Sequence, residues 1–76
     1  MIREYLVEMR ERRGETQSDA ARAIGLSRQY YWMIEQGRKQ PKMDIAIASL
    51  ISLHFDVPLE TVVDLEREWR KKNDIR

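Results

Sequence analysis

The stretch "TQSDAARAIGLSRQYYWMIEQG", Thr16 to Gly37, opens with the signature of a helix start. Thr16 is a good N-cap, because its side-chain oxygen can accept a hydrogen bond from an amide of the first helical turn. Asp19 follows three residues later, in an arrangement like a capping box. Together they predict a helix over residues 17–24, with its small and aliphatic residues turned inward.

The same stretch then predicts a turn and a second helix. Gly25 breaks the first helix, since glycine readily adopts the left-handed conformation that ends helices. Ser27 is a second N-cap, for a helix over residues 28–36 that ends at Gly37. Two short helices joined by a tight turn that contains glycine are a helix-turn-helix candidate.

Outward from this stretch the pattern stays helical. Helix 1 is predicted over residues 2–13, helix 4 over 43–54, and helix 5 from about Pro58, which suits a first turn. Helix 1 carries one apolar stripe, formed by Ile2, Tyr5, Leu6 and Met9. No segment alternates polar and apolar residues as strands do. The sequence therefore predicts an all-α fold of five helices in one domain, residues 1–72, with the helix-turn-helix at about 17–36 and a frayed tail at 73–76.

Helix 4 differs from the others because "MDIAIASLISLHF" is apolar nearly all round, with one charge in thirteen residues. Such a helix is buried on most of its sides. A chain of 76 residues has a modest core. We therefore expect a second copy of the chain to cover what the other helices leave open, with helix 4, helix 5 or the region of Trp69 as the dimer contact.

Charge is distributed unevenly although the formal net charge is only +1. Residues 28–42 contain four basic residues and one acid, whereas residues 44–66 contain five acids and neither Lys nor Arg. One surface is therefore expected to be basic and another acidic, and a basic surface suits an anionic partner such as a nucleic-acid backbone.

Other classes of protein find little support in the sequence. The chain has no cysteine, which excludes disulfides and thiolate metal sites. It has one histidine, His54, for which a packing or capping role is favoured over metal binding, and it has no glycine-rich phosphate loop. We therefore expect no enzyme activity, no cofactor and no small-molecule ligand, and a chain too short for a sensor domain. We also expect no membrane segment and a cytoplasmic, nucleoid-associated location.

The segment "LVEMRERRGETQSDAARAIGLSRQYYWMIEQGRKQP" resembles the Xre-type helix-turn-helix of phage repressor and Cro proteins. The similarity extends over about residues 6–65. Gln17 opens helix 2 as in the family, Ala21 is the small residue at the helix crossing, and Gly25 lies at the turn. The triplet 35–37, Glu-Gln-Gly, stands where the family has Glu-Asn-Gly. The chain departs from the family at three positions. Glu15 stands where the family residue is usually apolar, Ala20 where it is usually Leu, and Tyr31 where it is usually Ile or Val.

The resemblance implies a DNA-binding function with helix 3 in the major groove. It implies a structural ion pair between Arg10 and Glu35. Four residues of helix 3 would read bases: Arg28, at the edge of the core face, on guanine, the outward Gln29 on adenine, and the outward Trp32 and Met33 on thymine methyls or sugars. The phosphate contacts would come from Gln17, Ser27, Tyr30, Gln36, Arg38, Lys39 and Lys42.

Three aromatic residues in a row, residues 30–32, could form core, a base-stacking platform or a partner surface. With Ile34 inward, Tyr31 faces the core, and we expect its ring to fill the space left by the small Ala20. Its hydroxyl then needs a partner or a route to water. Tyr30 lies at the edge of the core. Trp32 either faces the groove or packs partly on the end of helix 1 or on the loop.

Two functions remain open. The first is a transcriptional regulator, expected to be a repressor, that binds a palindromic operator as a homodimer on double-stranded DNA. The second is an antitoxin or another protein-interaction module that uses the same fold, with the acidic region 44–66 as a surface for a basic partner.

Overall fold

The computed structural model describes residues 1–74, and helices are the regular secondary structure of this part of the chain. The chain divides into two compact units, Met1–Lys39 and a second that begins at Gln40. The expected all-α fold with five helices is confirmed. The helices are α1 (Glu4–Arg12), α2 (Gln17–Ile24) and α3 (Arg28–Glu35) in the first unit, and α4 (Ile45–Phe55) and α5 (Leu59–Lys72) in the second.

The start of α2 has the predicted capping box. The Thr16 side chain accepts a hydrogen bond from the Asp19 amide at 3.0 Å, and the Asp19 carboxylate accepts one from the Thr16 amide at 2.9 Å. These hydrogen bonds lower the pKa of Asp19. At the other end Gly25 has a φ of +87°, a left-handed conformation that favours glycine and stops the helix.

The first helix begins later than predicted. Ile2 was expected on the apolar stripe of this helix, but 48% of its surface is exposed. The reason is that Ile2 precedes the first turn of α1, so helical spacing does not apply to it. The next residue, Arg3, is buried although it is charged. Leu6 is fully buried as predicted.

The core of the first unit is formed where α1 and α2 pack against α3. Only 1% of the Tyr31 surface is exposed to solvent, and none of the Ala20 surface is. The predicted inward direction of Tyr31 is therefore confirmed. Burying such apolar side chains is the main favourable term in folding a small unit. The buried apolar residues here are Leu6, Ala20, Ala21, Ile24, Tyr31 and Ile34.

In the second unit α4 packs against α5, and the buried residues of α4 lie on one side of the helix. The buried residues of α4 are Ile47, Ala48, Ile51 and Phe55. The opposite side remains apolar and exposed, with 65% of Ile45, 37% of Leu50 and 82% of Leu53 in contact with solvent. As expected, the described helices of one chain cover α4 only in part.

The last helix follows Pro58 and buries Val62, Glu66 and Trp69. Of the expected frayed tail, the last two positions lie outside the described residues. Asn73 and Asp74 form a turn, and the Asn73 side-chain amide donates a hydrogen bond to the Trp69 carbonyl at 2.7 Å. Within residues 1–74 no single helix is long and apolar enough to cross a membrane; α4 and α5 meet the length and composition only together, across a bend of 118°.

Candidate nucleic-acid interface

The N-terminal end of α3 is open to solvent and capped. Ser27 adopts an extended backbone conformation, and its side chain accepts a hydrogen bond from the Tyr30 amide at 3.1 Å. Arg28 and Gln29, the two predicted base readers of the first turn, are both exposed. Their side chains are therefore available to a partner that approaches this end of the helix.

The C-terminal end of α3 is held in the first unit by a buried carboxylate. Glu35 is fully buried, and its Oε2 accepts a hydrogen bond from Arg10 Nε at 2.7 Å. Its Oε1 accepts one from Arg10 Nη2 at 3.3 Å and one from Gln17 Nε2 at 3.1 Å. A buried charge is tolerated when it is paired and hydrogen-bonded, and here the donors come from both of the other helices.

Arg10 also binds the segment between α1 and α2. Its Nη1 donates to the Glu15 carbonyl at 2.9 Å, and its own carbonyl accepts from the Glu15 amide at 3.2 Å. The hydrogen bond to Glu35 raises the pKa of Arg10 above its usual value. Glu15, apolar in the family pattern, instead pairs its carboxylate with Arg13 Nε at 3.2 Å. A polar residue is therefore accommodated at this position.

The Tyr31 hydroxyl, whose burial was expected to require a partner or a route to water, lies beside the Glu35 carboxylate. The oxygen is buried, and no acceptor or donor of the described residues meets it with hydrogen-bonding geometry. Burial and the neighbouring Glu35 carboxylate both raise the pKa of Tyr31, because each disfavours the phenolate. The Glu35 carboxylate is nevertheless close enough to act on the pKa of Tyr31 as a hydrogen-bond acceptor, although the contact lacks standard hydrogen-bond geometry.

Trp32 is half-buried and carries a cation on its ring. The guanidinium carbon of Arg38 lies 5.3 Å from the ring centroid, a distance at which a cation–π attraction operates. Met33 and Gln36, the other predicted outward residues of α3, are also half-buried, as is Tyr30 at the edge of the core. Arg38, in the segment that follows α3, thus packs on the Trp32 ring.

That segment closes α3 with a Schellman motif, a helix end in which two amides bond back to the last turn. The Gly37 amide donates to the Ile34 carbonyl at 3.0 Å, and the Arg38 amide donates to the Met33 carbonyl at 2.9 Å. Gly37 has a φ of +73°, which this motif requires. Arg38 and Lys39 follow at once and are exposed.

A surface hollow of about 600 Å³ lies at the start of α2 and includes Arg28 from α3. Gln17 and Ser18, in the first turn of α2, line it together with Arg10. The first turn of a helix has amides without intrahelical acceptors and a positive field. The hollow thus places an exposed arginine beside a helix N-terminus. Its remaining lining residues are Glu11, Gly14, Glu15 and Thr16.

The predicted site residues are divided between the two units. The first unit holds all of them except Lys42, which is exposed in the second unit. Arg3 was not predicted, although its fully buried guanidinium donates hydrogen bonds near the end of α3. The burial of Arg3 could not be read from the sequence, because Arg3 lies outside the periodic pattern of α1 and a charged residue before a helix is usually solvated.

Comparisons with known proteins point to one family. A family model described as a helix-turn-helix domain matches residues 2–62. An uncharacterized HTH-type transcriptional regulator of Bacillus subtilis (strain 168), YqaF, is 36% identical over 56 residues, which cover 74% of each chain. No solved structure matches significantly. The family match contains α1, α2 and α3 entirely, with the buried Glu35 network inside it. The chain belongs to the helix-turn-helix domain family.

Proposed function

We propose that this protein is a sequence-specific, DNA-binding transcriptional regulator whose α3 enters the major groove. The observation that carries the proposal is the division of α3 into a buried C-terminal turn, held through Glu35, and an exposed N-terminal turn with Arg28 and Gln29. An α-helix fits the major groove, where arginine recognises guanine and glutamine recognises adenine by paired hydrogen bonds. Trp32 and Met33 complete the proposed base-reading set.

Phosphate contacts would position the domain on the duplex without reading sequence. The hollow at the start of α2 supports this, because helix amides and Arg28 can hold an anion together. Ser27 accepts from the Tyr30 amide and can still donate its hydroxyl hydrogen. The full proposed set is Gln17, Ser27, Tyr30, Gln36, Arg38, Lys39 and Lys42, within a functional domain of residues 1–72.

A homodimer is proposed on the strength of the second unit. The exposed side of α4 carries Ile45, Leu50 and Leu53, which are costly to leave in water. A second copy would cover them, and two copies would bind a palindromic operator with half-sites about one helical turn apart. Such a protein would act on the nucleoid in the cytoplasm, as a repressor that excludes RNA polymerase from a promoter. The similarity to a regulator of B. subtilis is consistent with this proposal.

A second candidate function is that of an antitoxin or another interaction module. The feature that favours it is the acidic stretch 44–66, which has no Lys or Arg and includes the exposed Asp44, Asp56 and Glu60. A basic protein partner would suit that surface beside the apolar side of α4. Purification from the native host separates the two functions, since a dedicated partner would co-purify at a ratio of one to one.

Selection of bound duplexes from a random pool tests the leading proposal most directly. We expect enrichment of one motif with two inverted halves whose centres are about 10 base pairs apart. A single enriched half-site would support base reading but contradict the dimer. Recovery of unselected sequences, with binding that weakens equally for all of them as salt rises, would contradict sequence-specific recognition.

A further inference from the structure

Arg3 is the most deeply buried charged residue of the first unit that the proposed interface does not use. None of its surface is exposed. Its Nη1 donates to the Ile34 carbonyl at 2.7 Å and to the Lys39 carbonyl at 3.0 Å. Its backbone amide donates to the Glu35 carbonyl at 2.7 Å. One residue before α1 therefore binds two carbonyls in the last turn of α3 and one carbonyl of the segment that follows it.

The chemistry at the end of α3 explains why a cation is placed there. The last carbonyls of a helix have no intrahelical donors and carry the negative end of the helix dipole. A buried guanidinium in turn needs several acceptors, because an unpaired charge inside a protein is very unfavourable. Arg3 donates to such carbonyls, and the bond to Lys39 extends the link beyond the helix.

The link to Lys39 spans the segment that carries two proposed phosphate contacts. Residues 37–39 are held at one end by the Schellman motif and at the other by the guanidinium of Arg3. Arg38 lies between these two anchors, with its guanidinium over the Trp32 ring. The direction in which Arg38 and Lys39 project is thus fixed by backbone bonds, while their side chains remain exposed.

We propose that Arg3 is a positioning residue for phosphate binding: it fixes residues 37–39 so that Arg38 and Lys39 meet the DNA backbone. This role rests on the proposed DNA-binding function and adds to it a residue that touches no DNA. The single nitrogen Nη1 of Arg3 joins the end of α3 to the segment beyond it, because it donates to a carbonyl of each.

The free protein provides the first test. The indole N–H resonances of Trp32 and Trp69 are assigned from their loss in Trp32→Phe and Trp69→Phe. Arg3→Met is expected to shift the Trp32 resonance, because Arg38 loses its fixed place over the ring. The matched control is Arg12→Met, at an exposed arginine of α1, which should move neither resonance. An unmoved Trp32 resonance in Arg3→Met overturns the proposal.

The second test measures DNA binding as a function of salt. Each cationic phosphate contact adds about 0.9 to the slope of log affinity against log salt. Arg3→Met is expected to reduce the slope by roughly 0.9 to 1.8 per protomer, corresponding to one or both of Arg38 and Lys39. The preference for the selected site over a site altered at the base read by Arg28 should stay the same. Arg38→Ala should weaken binding less in the Arg3→Met background than in the wild type.

The outcomes separate positioning from mere stabilisation. A variant that is only less stable loses active protein, and then affinity falls while the slope stays unchanged; that result overturns the role of Arg3 alone. Failure of the wild type to bind any duplex overturns the proposed function itself. If Arg3→Met does not fold, Arg3→Lys replaces it in both tests. The lysine variant should show the same changes at smaller size, and no change in either measurement would contradict the proposal.

Discussion

At the scale of single residues, the side chains of α3 differ in what surrounds them. Ile34 and Glu35 are enclosed, Trp32 is half-covered by Arg38, and Arg28 and Gln29 extend into solvent. Enclosed polar atoms must be satisfied within the protein, whereas exposed ones remain available to a ligand. Substitutions of the enclosed residues should therefore affect folding, and substitutions of the exposed residues should affect recognition.

Arg28→Ala should affect recognition. We expect a loss of about 1–3 kcal/mol on the selected site and little loss on random duplex, because a guanine contact is made on one sequence only. Lys39→Ala is the control, and it should weaken both duplexes alike since a phosphate contact carries no sequence information. Fluorescence anisotropy on the two duplexes measures this. Equal losses for Arg28→Ala on both would remove it from the base-reading set.

Tyr31 should influence stability at alkaline pH. An unfolded tyrosine releases its proton near pH 10, but burial and Glu35 raise the pKa of the folded residue. Above about pH 10 the unfolded chain thus binds fewer protons than the folded one, and stability falls by up to about 1.4 kcal/mol per pH unit until the folded pKa is reached.

The variant Tyr31→Phe should lack this part of the alkaline loss. At neutral pH it should be as stable as the wild type or more stable, by up to about 1 kcal/mol, because it removes a buried hydroxyl without a hydrogen-bond partner. Urea unfolding at pH 7 and pH 11 measures both effects. Tyr30→Phe is the control, and it should keep the alkaline loss. A neutral-pH destabilisation above 1 kcal/mol in Tyr31→Phe would indicate a hydrogen bond to its hydroxyl.

At the scale of elements, local chemistry decided what could be predicted. The bounds of α2 were predicted correctly because the Thr16–Asp19 capping box and Gly25 act within a few residues of the helix. The end of α3 followed in the same way from Gly37. By contrast, the burial of Arg3 depends on carbonyls 31 and 36 residues away, which no local pattern indicates.

The exposed residues at the start of α3 were predicted from helical geometry, since one enclosed residue orients the others. The Arg10–Glu35 geometry came from the family resemblance, and spacing alone would not have paired residues 25 positions apart. The position of Arg38 over Trp32 could not be predicted, because it depends on the conformation of the segment after the helix.

The connection between α1 and α3 can be tested with two arginines of the same helix. Arg10→Met leaves the buried Glu35 without its main partner, and breaking such a pair costs about 3–5 kcal/mol. Arg12→Met removes only an exposed pair with Glu8, 3.9 Å apart, and should cost less than about 1 kcal/mol. Urea unfolding followed by circular dichroism compares them. Similar midpoints for both variants would mean that Glu35 is satisfied without Arg10.

The exposed side of α4 makes a prediction about assembly. Leu53→Lys should weaken self-association at least tenfold without unfolding the chain, because the side chain is 82% exposed in the single protomer. Ala23→Lys places the same charge on an exposed position of α2 and should leave association unchanged. Sedimentation equilibrium measures both. A wild type that stays monomeric at all accessible concentrations would contradict the dimer.

At the scale of the whole molecule, the net charge of +1 hides a contrast between a basic segment 28–42 and an acidic segment 44–66. DNA affinity therefore depends on where charge lies rather than on its sum. Three exposed cations are proposed to contact phosphate in each protomer: Arg38, Lys39 and Lys42.

These numbers predict the salt dependence of operator binding. A dimer with six cationic contacts should show a slope of log affinity against log salt of about −5, and a monomer with three about −3. Titrations between 50 and 200 mM salt, a range over which affinities change strongly, measure the slope. Lys39→Ala should reduce its magnitude by about 2 in the dimer. A slope near zero would exclude a large electrostatic contribution to DNA binding.

The sealed carboxylate of Glu35 also has a consequence for protein engineering. Its donors, Arg10 and Gln17, hold the C-terminal turn of α3, whereas Arg28 and Gln29 lie exposed in its first turn. Randomising the residues of the exposed first turn alone, with residues 10, 17 and 35 unchanged, should therefore alter which DNA sequence the domain prefers. A library built in this way would contain mostly folded members that differ in the operators they select.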